Sequence, residues 1–210
     1  MSRKLQDRLN SFFWINQPPV FEWHDDRLEV VTEPQTDLWQ RTYYGFCAAN
    51  APSFVTELKG DFSFSVKANF SDSHFMYDQC GLLLFLDSKN WIKASVEYEN
   101  SEFSRLGSVV TNLGYSDWAT TDIPAHVKEM WFRVSRRGQD FYLENSVDGI
   151  SYIQMRMLHL YQSAEIVNVG VYACSPLNSS FRAKFSEFTI TECQWPEFNT
   201  NLNNLNNECN

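Results

Sequence analysis

The sequence predicts an all-β fold, a sandwich of two antiparallel sheets built as one domain. Three features lead to this prediction: apolar residues on alternate positions, short polar turn segments, and very little helical periodicity. The clearest alternation runs through residues 61–70, where apolar side chains occupy every second position. These side chains are Phe62, Phe64, Val66, Ala68 and Phe70. They would share one face of a strand, which is the pattern of a half-buried strand.

Similar alternation, or a short apolar run, recurs along the chain and predicts further strands. These segments are residues 27–32, 80–86, 91–99, 106–112, 130–135, 141–145, 152–158, 166–174 and 182–191. Polar segments rich in Asp, Asn and Gly predict hairpin turns at residues 87–90, 136–140 and 147–149. Phe185 and Phe188 break the alternation of the last strand, which predicts a β-bulge there.

Helical periodicity is confined to residues 3–13, with a single turn expected near residues 125–129, so we expect few short helices. A parallel α/β fold would need a crossover helix between successive strands and is therefore disfavoured. From residue 197 the sequence is rich in asparagine and poor in complexity, and such sequence cannot bury enough apolar surface to become ordered. We predict one domain over residues 1–196 and a flexible tail over residues 197–210.

Composition limits the partners of the protein. A net charge of −9 and a pI near 4.9 disfavour nucleic acid and anionic membrane surfaces. No apolar run approaches the roughly 20 residues of a membrane span, and Met1 to Asn10 does not resemble a signal peptide. The five cysteines lack Cys-x-x-Cys spacing and the four histidines are isolated, which disfavours a metal site. We predict a cytoplasmic protein without metal or cofactor.

Strand parity predicts a second face with unusual chemistry. In residues 91–99, one set of alternate residues is apolar, and the other set is Trp91, Lys93, Ser95, Glu97 and Glu99. The same parity turns a further set of side chains outward, namely Trp131, Arg133, Tyr142, Glu144 and Tyr172. If these strands share one sheet, its outer face combines aromatic rings with charged groups, which suits a polyhydroxylated ligand. The alternative is purely structural, with cross-strand ion pairs and rings packed under loops.

Four segments, taken in this order, resemble a widespread family of domains of unknown function that includes the yeast regulation-of-enolase protein. They are Asp78-Gln79-Cys80-Gly81-Leu82-Leu83, Asn90-Trp91-Ile92-Lys93-Ala94-Ser95-Val96-Glu97, Tyr115-Ser116-Asp117-Trp118 and Ser146-Val147-Asp148-Gly149. The resemblance covers residues 13–195, and its specificity lies in the order of the four segments.

The resemblance implies a concanavalin-A-like jelly roll with one concave sheet. This superfamily includes lectins and glucanases, whose concave face generally binds glycans, although a fold by itself does not determine function. The residues in the matching segments that could face such a groove are Gln79, Trp91, Lys93, Glu97 and Trp118.

The leading hypothesis is a non-catalytic, cytoplasmic, lectin-like domain that binds a carbohydrate or a similar polar metabolite. The candidate ligand-binding residues are Gln79, Trp91, Lys93, Glu97, Trp118, Trp131, Arg133, Tyr142 and Tyr172. Residues 101–105 or 115–124, predicted as loops, could cover the binding face. One alternative, implied by the resemblance, is a regulatory protein that binds another protein.

A second alternative is a glycoside hydrolase or another carbohydrate-active enzyme. Glycosidases use two carboxyl groups that flank the scissile bond. Glu97 and Glu99 are the candidates, since together with Glu102 their spacing is similar to the Glu-x-Asp-x-x-Glu signature of laminarinase-like hydrolases. The central residue differs, because Glu99 stands where the signature has Asp.

Overall fold

The computed structural model describes residues 11–162 and 164–198, which form sixteen β-strands and no helix. The strands are β1 (Phe13–Ile15), β2 (Phe21–His24), β3 (Arg27–Val31), β4 (Leu38–Gln40), β5 (Cys47–Ala49), β6 (Ser53–Lys59), β7 (Phe62–Asn69) and β8 (Gln79–Asp87). They continue with β9 (Asn90–Tyr98), β10 (Phe103–Asn112), β11 (Tyr115–Pro124), β12 (Glu129–Arg137), β13 (Asp140–Ser146), β14 (Ile153–His159), β15 (Ile166–Cys174) and β16 (Arg182–Thr191). Since none of these residues is helical, the described part contains no helix that could span a membrane.

Two seven-stranded sheets form the sandwich, and all pairings between their strands are antiparallel. Sheet A has the strand order β1-β6-β15-β8-β9-β10-β11. Sheet B has the order β14-β13-β12-β7-β16-β3-β2. Strands β4 and β5 form a separate two-stranded hairpin. The predicted all-β, two-sheet jelly roll is therefore confirmed.

The main core lies between the two sheets and follows the predicted strand parity. From sheet A it takes Ile92, Ala94 and Val96, and from sheet B it takes Phe132 and Val134, all with at most 1% of their surface exposed. Apolar side chains on alternate positions become one buried face because successive residues of a strand point to opposite sides.

The predicted bulge in the last strand is confirmed. The pairing of β16 with β7 shifts between Ser186 and Thr189, and Glu187 has a positive φ of 57°. The extra residue returns Phe188 to the core side, where it is 7% exposed.

Several expectations about individual segments are corrected. Residues 115–124, expected as a loop, form the edge strand β11, which the threonines and aspartates of its exposed positions concealed. Ala125 and His126 form a turn that is not helical. A helix was expected over residues 3–13, but its last residue, Phe13, begins strand β1. Residues 3–10 of the expected helix and residues 199–210 of the expected tail lie outside the described residues.

A second core lies on the outer face of sheet A, beneath the β4–β5 hairpin. The residues of this outer core are Leu38, Trp39, Ala51, Val55, Leu83, Trp91, Val109, Tyr172 and Cys174. The hairpin is tied to the end of the sheet, since the Ser116 hydroxyl accepts a hydrogen bond from the backbone N–H of Gln40 at 2.9 Å. The Arg41 guanidinium also donates to the carbonyl of Gly114 at 3.0 Å. The hairpin therefore covers one part of this face and leaves the rest open.

Candidate functional site

The register of strands β8, β9 and β10 creates a trough on the outer face of sheet A. Gly81 lies opposite Ser95, and Ser95 lies opposite Gly107, so three small residues form one row across the sheet. The close packing at Gly81 admits no side chain, because a Cβ there would lie 2.0 Å from the carbonyl oxygen of Ala94. This row of small residues is the floor of the trough.

Larger side chains in the two neighbouring rows form the walls of the trough. One row is Gln79, Glu97 and Arg105, and the other is Leu83, Lys93 and Val109. A pocket of about 520 Å³ occupies the space above them. It is lined by Gln35, Asp37, Trp39, Tyr44, Phe46, Ala48, Tyr77, Gln79, Lys93, Ser95, Glu97, Arg105, Gly107, Val109, Trp118, Pro176 and Leu177.

Gln79 is the hub of a buried hydrogen-bond network in this pocket. Its Oε1 accepts from Lys93 Nζ at 3.0 Å and from the Tyr172 hydroxyl at 2.8 Å. Its Nε2 donates to Glu97 Oε2 at 2.8 Å and to the carbonyl of Tyr77 at 3.3 Å. Since both ends of the amide are occupied by protein groups, Gln79 orients Lys93 and Glu97 and has little left to offer a ligand.

The Lys93 ammonium is buried against two aromatic rings and a carboxylate. Its side chain is 5% exposed, and Nζ lies 3.6 Å from Asp37 Oδ1. The same atom lies 5.5 Å from the ring centre of Tyr172 and 5.9 Å from that of Trp91. Ring faces and a carboxylate both stabilise a cation that has lost most of its water.

Glu97 carries an unsatisfied acceptor. Its Oε1 is inaccessible to solvent and accepts no hydrogen bond, whereas its Oε2 is bound to Gln79. Burial raises the pKa of Glu97 to about 7, against the opposing effect of Lys93, and Asp37 raises it further. A carboxyl group that titrates near neutrality in a pocket marks a functional site more often than an ordinary surface position does.

Trp118 forms one aromatic wall of the pocket beside the glycine of the floor. A Cβ at Gly107 would lie 3.1 Å from Trp118 Nε1, so glycine allows the indole to lie close to the sheet. The Arg105 guanidinium stands 5.6 Å from the ring centre of Trp118. Its Nε is 3.0 Å from Glu99 Oε2, a close ion pair whose angles do not make a hydrogen bond.

The rim of the pocket is aromatic and is held by a buried carboxylate. Asp78, which is 1% exposed, accepts from the hydroxyls of Ser175 and Ser179 at 2.8 and 3.2 Å. It also accepts from the backbone N–H of Phe75 at 3.0 Å. These bonds join the loop before β8 to the loop after β15, which contribute Tyr77, Pro176 and Leu177 to the pocket.

The structure brings together one part of the predicted site. Gln79, Lys93, Glu97 and Trp118 line the same pocket, and Tyr172 is joined to it through Gln79. Trp91 does not line the pocket, because the β4–β5 hairpin buries it completely in the outer core. The expectation that Trp91 offers a ring surface to a ligand is therefore wrong.

Trp131, Arg133 and Tyr142 lie elsewhere, on β12 and β13 of sheet B. The premise that these strands share a sheet with β9 is wrong, because parity identifies a face of a strand and not the sheet to which it belongs. Their polar groups are bound to protein partners. Trp131 Nε1 donates to Glu187 at 2.9 Å, and Arg133 donates two bonds to Glu144 at 2.6 and 2.8 Å.

Two features of the pocket were missing from the sequence-based prediction. Asp37 directly precedes β4, and the aromatic residues Trp39, Tyr44 and Phe46 lie in β4 or in the loop after it, where strands of three residues are too short to show a period. The floor did leave a signal, since Gly81 and Gly107 interrupt two strands, and a glycine inside a strand often marks a close approach of a ligand or backbone.

The chain matches a known family over most of its length. The model of the family described as Protein of unknown function (DUF1349) matches residues 14–193. Regulation of enolase protein 1 of Saccharomyces cerevisiae is 28% identical over 178 residues, which cover 85% of this chain and 88% of the yeast protein. A functionally unknown protein from Saccharomyces cerevisiae, known from its crystal structure, has a TM-score of 0.80 at 26% identity, over 88% of this chain and 97% of that chain.

More distant solved structures share the fold. The GH43 protein BlXynB from Bacillus licheniformis has a TM-score of 0.68 at 16% identity, over 87% of this chain but 37% of its own. The alginate lyase from Klebsiella pneumoniae has a TM-score of 0.58 at 8% identity, over 88% of this chain and 87% of its own. At such identities the likeness concerns the jelly-roll architecture alone. The match over residues 14–193 is what assigns the relationship, and the chain belongs to the DUF1349 family of proteins of unknown function.

Proposed function

We propose that this protein is a non-catalytic binding domain whose pocket on sheet A takes a carbohydrate or a similar polar metabolite. The observation that carries this proposal is the combination, in one pocket, of aromatic walls with polar side chains that are held in fixed positions. Trp118 and Tyr77 supply ring surface, while Lys93 and Glu97 are held in place by Gln79. Sugars are bound in this way, with their C–H faces on rings and their hydroxyls on polar groups.

The carboxyl groups of the pocket favour binding over hydrolysis. Of the two candidates, Glu97 lines the pocket, but Glu99 is outside its lining and is paired with Arg105. Asp37 does line the pocket, yet it faces the Lys93 ammonium at 3.6 Å. A glycosidase needs a second carboxyl group free to act as nucleophile or base, so we place the glycoside hydrolase alternative below a binding role.

The proposal is tested by isothermal titration of the purified chain against a panel of glycans and small polar metabolites. For the best ligand, we expect Trp118→Ala to weaken binding about tenfold or more, equivalent to about 1.4 kcal/mol. Trp131→Ala is the matched control, because it removes a partly buried tryptophan from sheet B. Loss of binding in the control but not in Trp118→Ala would place the site on sheet B and contradict the proposal.

A second candidate function is regulation through a protein partner, with the rim of the pocket as the contact surface. The β4–β5 loop exposes three aromatic residues, Tyr43 at 94%, Tyr44 at 57% and Phe46 at 45%. Exposed aromatic clusters are typical of interfaces. The yeast relative is named Regulation of enolase protein 1, and on this basis enolase is the first partner to test.

The test is a binding measurement between purified enolase and this chain, together with enolase turnover in the presence of the chain. If the rim is the interface, Tyr43→Ala combined with Phe46→Ser should abolish both effects. Tyr161→Ala is the matched control, since Tyr161 is 67% exposed but lies in the loop after β14. An unchanged complex in the rim variant would exclude this surface.

A further inference from the structure

The charges of the pocket, rather than its shape, restrict what it can bind. Asp37, Glu97, Lys93 and Arg105 line it, and Arg105 is already paired with Glu99 beside it. Lys93 in turn forms an ion pair with Asp37 and donates a hydrogen bond to Gln79. The two cations therefore face three carboxylates, and neither cation is left over to neutralise a bound anion.

The hydrogen-bonding groups that the pocket leaves unpaired also disfavour an anionic ligand. Among the described residues that line the pocket, Glu97 Oε1 is a buried oxygen without a partner, whereas Arg105 Nε and the neighbouring Glu99 Oε2, which also make no hydrogen bond, lie 3.0 Å apart as an ion pair. The Gln79 amide is fully occupied by protein groups. The unsatisfied group that lines the pocket without an ion-pair partner is thus an acceptor, Glu97 Oε1, and a ligand that pairs with it must bring a donor, as a hydroxyl group does.

Adding a negative charge would worsen an existing imbalance. Burial already raises the pKa of Glu97 to about 7, and the opposing effect of the nearby Lys93 does not offset it. A carboxylate or phosphate on the ligand would meet Glu97 and Asp37 at short range and in partly desolvated surroundings, where like charges repel strongly.

We infer that the pocket selects an uncharged saccharide and rejects uronic acids and sugar phosphates. This inference rests on the proposed function and narrows it from polar metabolites in general to neutral sugars. Discrimination against an anionic competitor is a common route to specificity.

The experiment compares matched sugars of different charge on the full chain. Neutral disaccharides of glucose, galactose, mannose and xylose are titrated beside disaccharides that contain glucuronate, galacturonate or mannuronate, and beside hexose 6-phosphates. We expect the tightest ligand to be neutral and its anionic counterpart to bind at least about tenfold more weakly. We also expect the ratio of the two affinities to rise between pH 6 and pH 8, because Glu97 ionises in that range.

Glu97→Gln tests the cause of the selectivity. This variant removes the negative charge with little change in shape, so it should reduce the discrimination against uronates and make the ratio independent of pH. Glu22→Gln is the matched control, because it makes the same change of net charge at an exposed position on β2 of sheet B. It should leave the ratio and its pH dependence unchanged.

The outcomes separate the inference from the proposed function. If a uronate or a sugar phosphate binds more tightly than every neutral sugar, the inference is overturned while carbohydrate binding stands. If no saccharide of any charge binds, both fail. A neutral ligand whose preference over its acid survives unchanged in Glu97→Gln and in Asp37→Asn would also overturn the electrostatic explanation.

Discussion

The outer faces of the two sheets have similar amino-acid compositions, but they differ in how completely their polar side chains are hydrogen-bonded. On sheet B, Trp131, Arg133 and Tyr142 have polar groups that bind other protein groups. On sheet A, the pocket leaves a carboxylate oxygen of Glu97 without a partner. An aromatic and charged composition is therefore common to a structural face and a candidate binding face, and the completeness of the hydrogen bonding distinguishes them.

The two faces are covered by different parts of the chain. The segment after β16 lies over sheet B, where the Trp195 ring stacks on Tyr142 with 5.3 Å between their centres and an angle of 12°. Gln194 accepts a hydrogen bond from Arg133. A depression of about 980 Å³ remains beside Trp195, but no buried side-chain atom of its described lining lacks a partner. The greater volume of this depression is therefore weaker evidence for a site than the chemistry of the trough.

Removing Trp91 should have the largest effect on stability. Trp91 is completely buried in the outer core, so Trp91→Ala should lower the free energy of unfolding by about 3–5 kcal/mol. Urea denaturation measures this loss, and Trp118→Ala serves as the comparison because its ring is only partly buried. A loss below about 1 kcal/mol for Trp91→Ala would contradict the existence of a second core under the hairpin.

Breaking the ion pair on sheet B should have the next largest effect. Glu144→Ala leaves the Arg133 guanidinium without its two bonds in a site where the arginine side chain is 17% exposed, and should cost about 2–3 kcal/mol. The control is Asp117→Ala, which breaks a pair with Arg156 whose aspartate is 71% exposed and should cost less than about 1 kcal/mol. Ligand affinity should be unchanged in both, so a loss of binding in Glu144→Ala would reassign the site to sheet B.

The carboxylate in the trough predicts a pH-dependent stability. Because the folded pKa of Glu97 is raised from 4.5 to about 7, the native state binds more protons than the unfolded state between these values, and stability falls as pH rises through that window. Glu97→Gln removes this effect. Its free energy of unfolding, relative to that of the natural sequence, should therefore increase by up to about 3 kcal/mol between pH 4 and pH 8. An equal difference at the two pH values, measured by urea denaturation, would show that Glu97 is ionised without penalty.

Filling the floor of the trough should have the smallest effect on stability. Gly107→Ala places a Cβ 3.0 Å from the carbonyl oxygen of Ala119 and 3.1 Å from Trp118 Nε1, so the indole must shift and stability should fall by about 1 kcal/mol. Ligand affinity should fall more than stability, because the pocket narrows where a ring would lie. Unchanged affinity would show that a ligand does not reach the floor.

The strand pattern of the long central strands was predictable from sequence. Residues 166–174 and 182–191 were predicted with the bounds that the structure shows, and the parity of Ile92 and Lys93 was predicted correctly. These predictions succeed because alternation depends on local geometry. Six strands were not predicted, namely β1, β2, β4, β5, β6 and β11. The first four of these have three or four residues, too few to show a period, β6 begins with four buried residues in a row, and β11 is an exposed edge.

The candidate site was predictable in part. Gln79, Lys93, Glu97 and Trp118 were identified from sequence and do line one pocket. Asp37 was missed because it is brought to Lys93 by a hairpin far away in the chain. The sheet assignment of Trp131 was also beyond sequence, since it depends on which strands pair, and pairing is a non-local property.

By itself, the sequence determined the all-β class, the family and the core-facing side of strands such as β7, β9 and β12, because these follow from residue order and from the two-residue period of a strand. The tertiary structure decided which of the outward-facing residues meet. It placed Trp91 under a hairpin and Trp131 on the other sheet, and it left Glu97 in a trough whose floor is a row of small residues. The physical reason is that the pairing and covering of strands depend on contacts between distant segments, which no local pattern records.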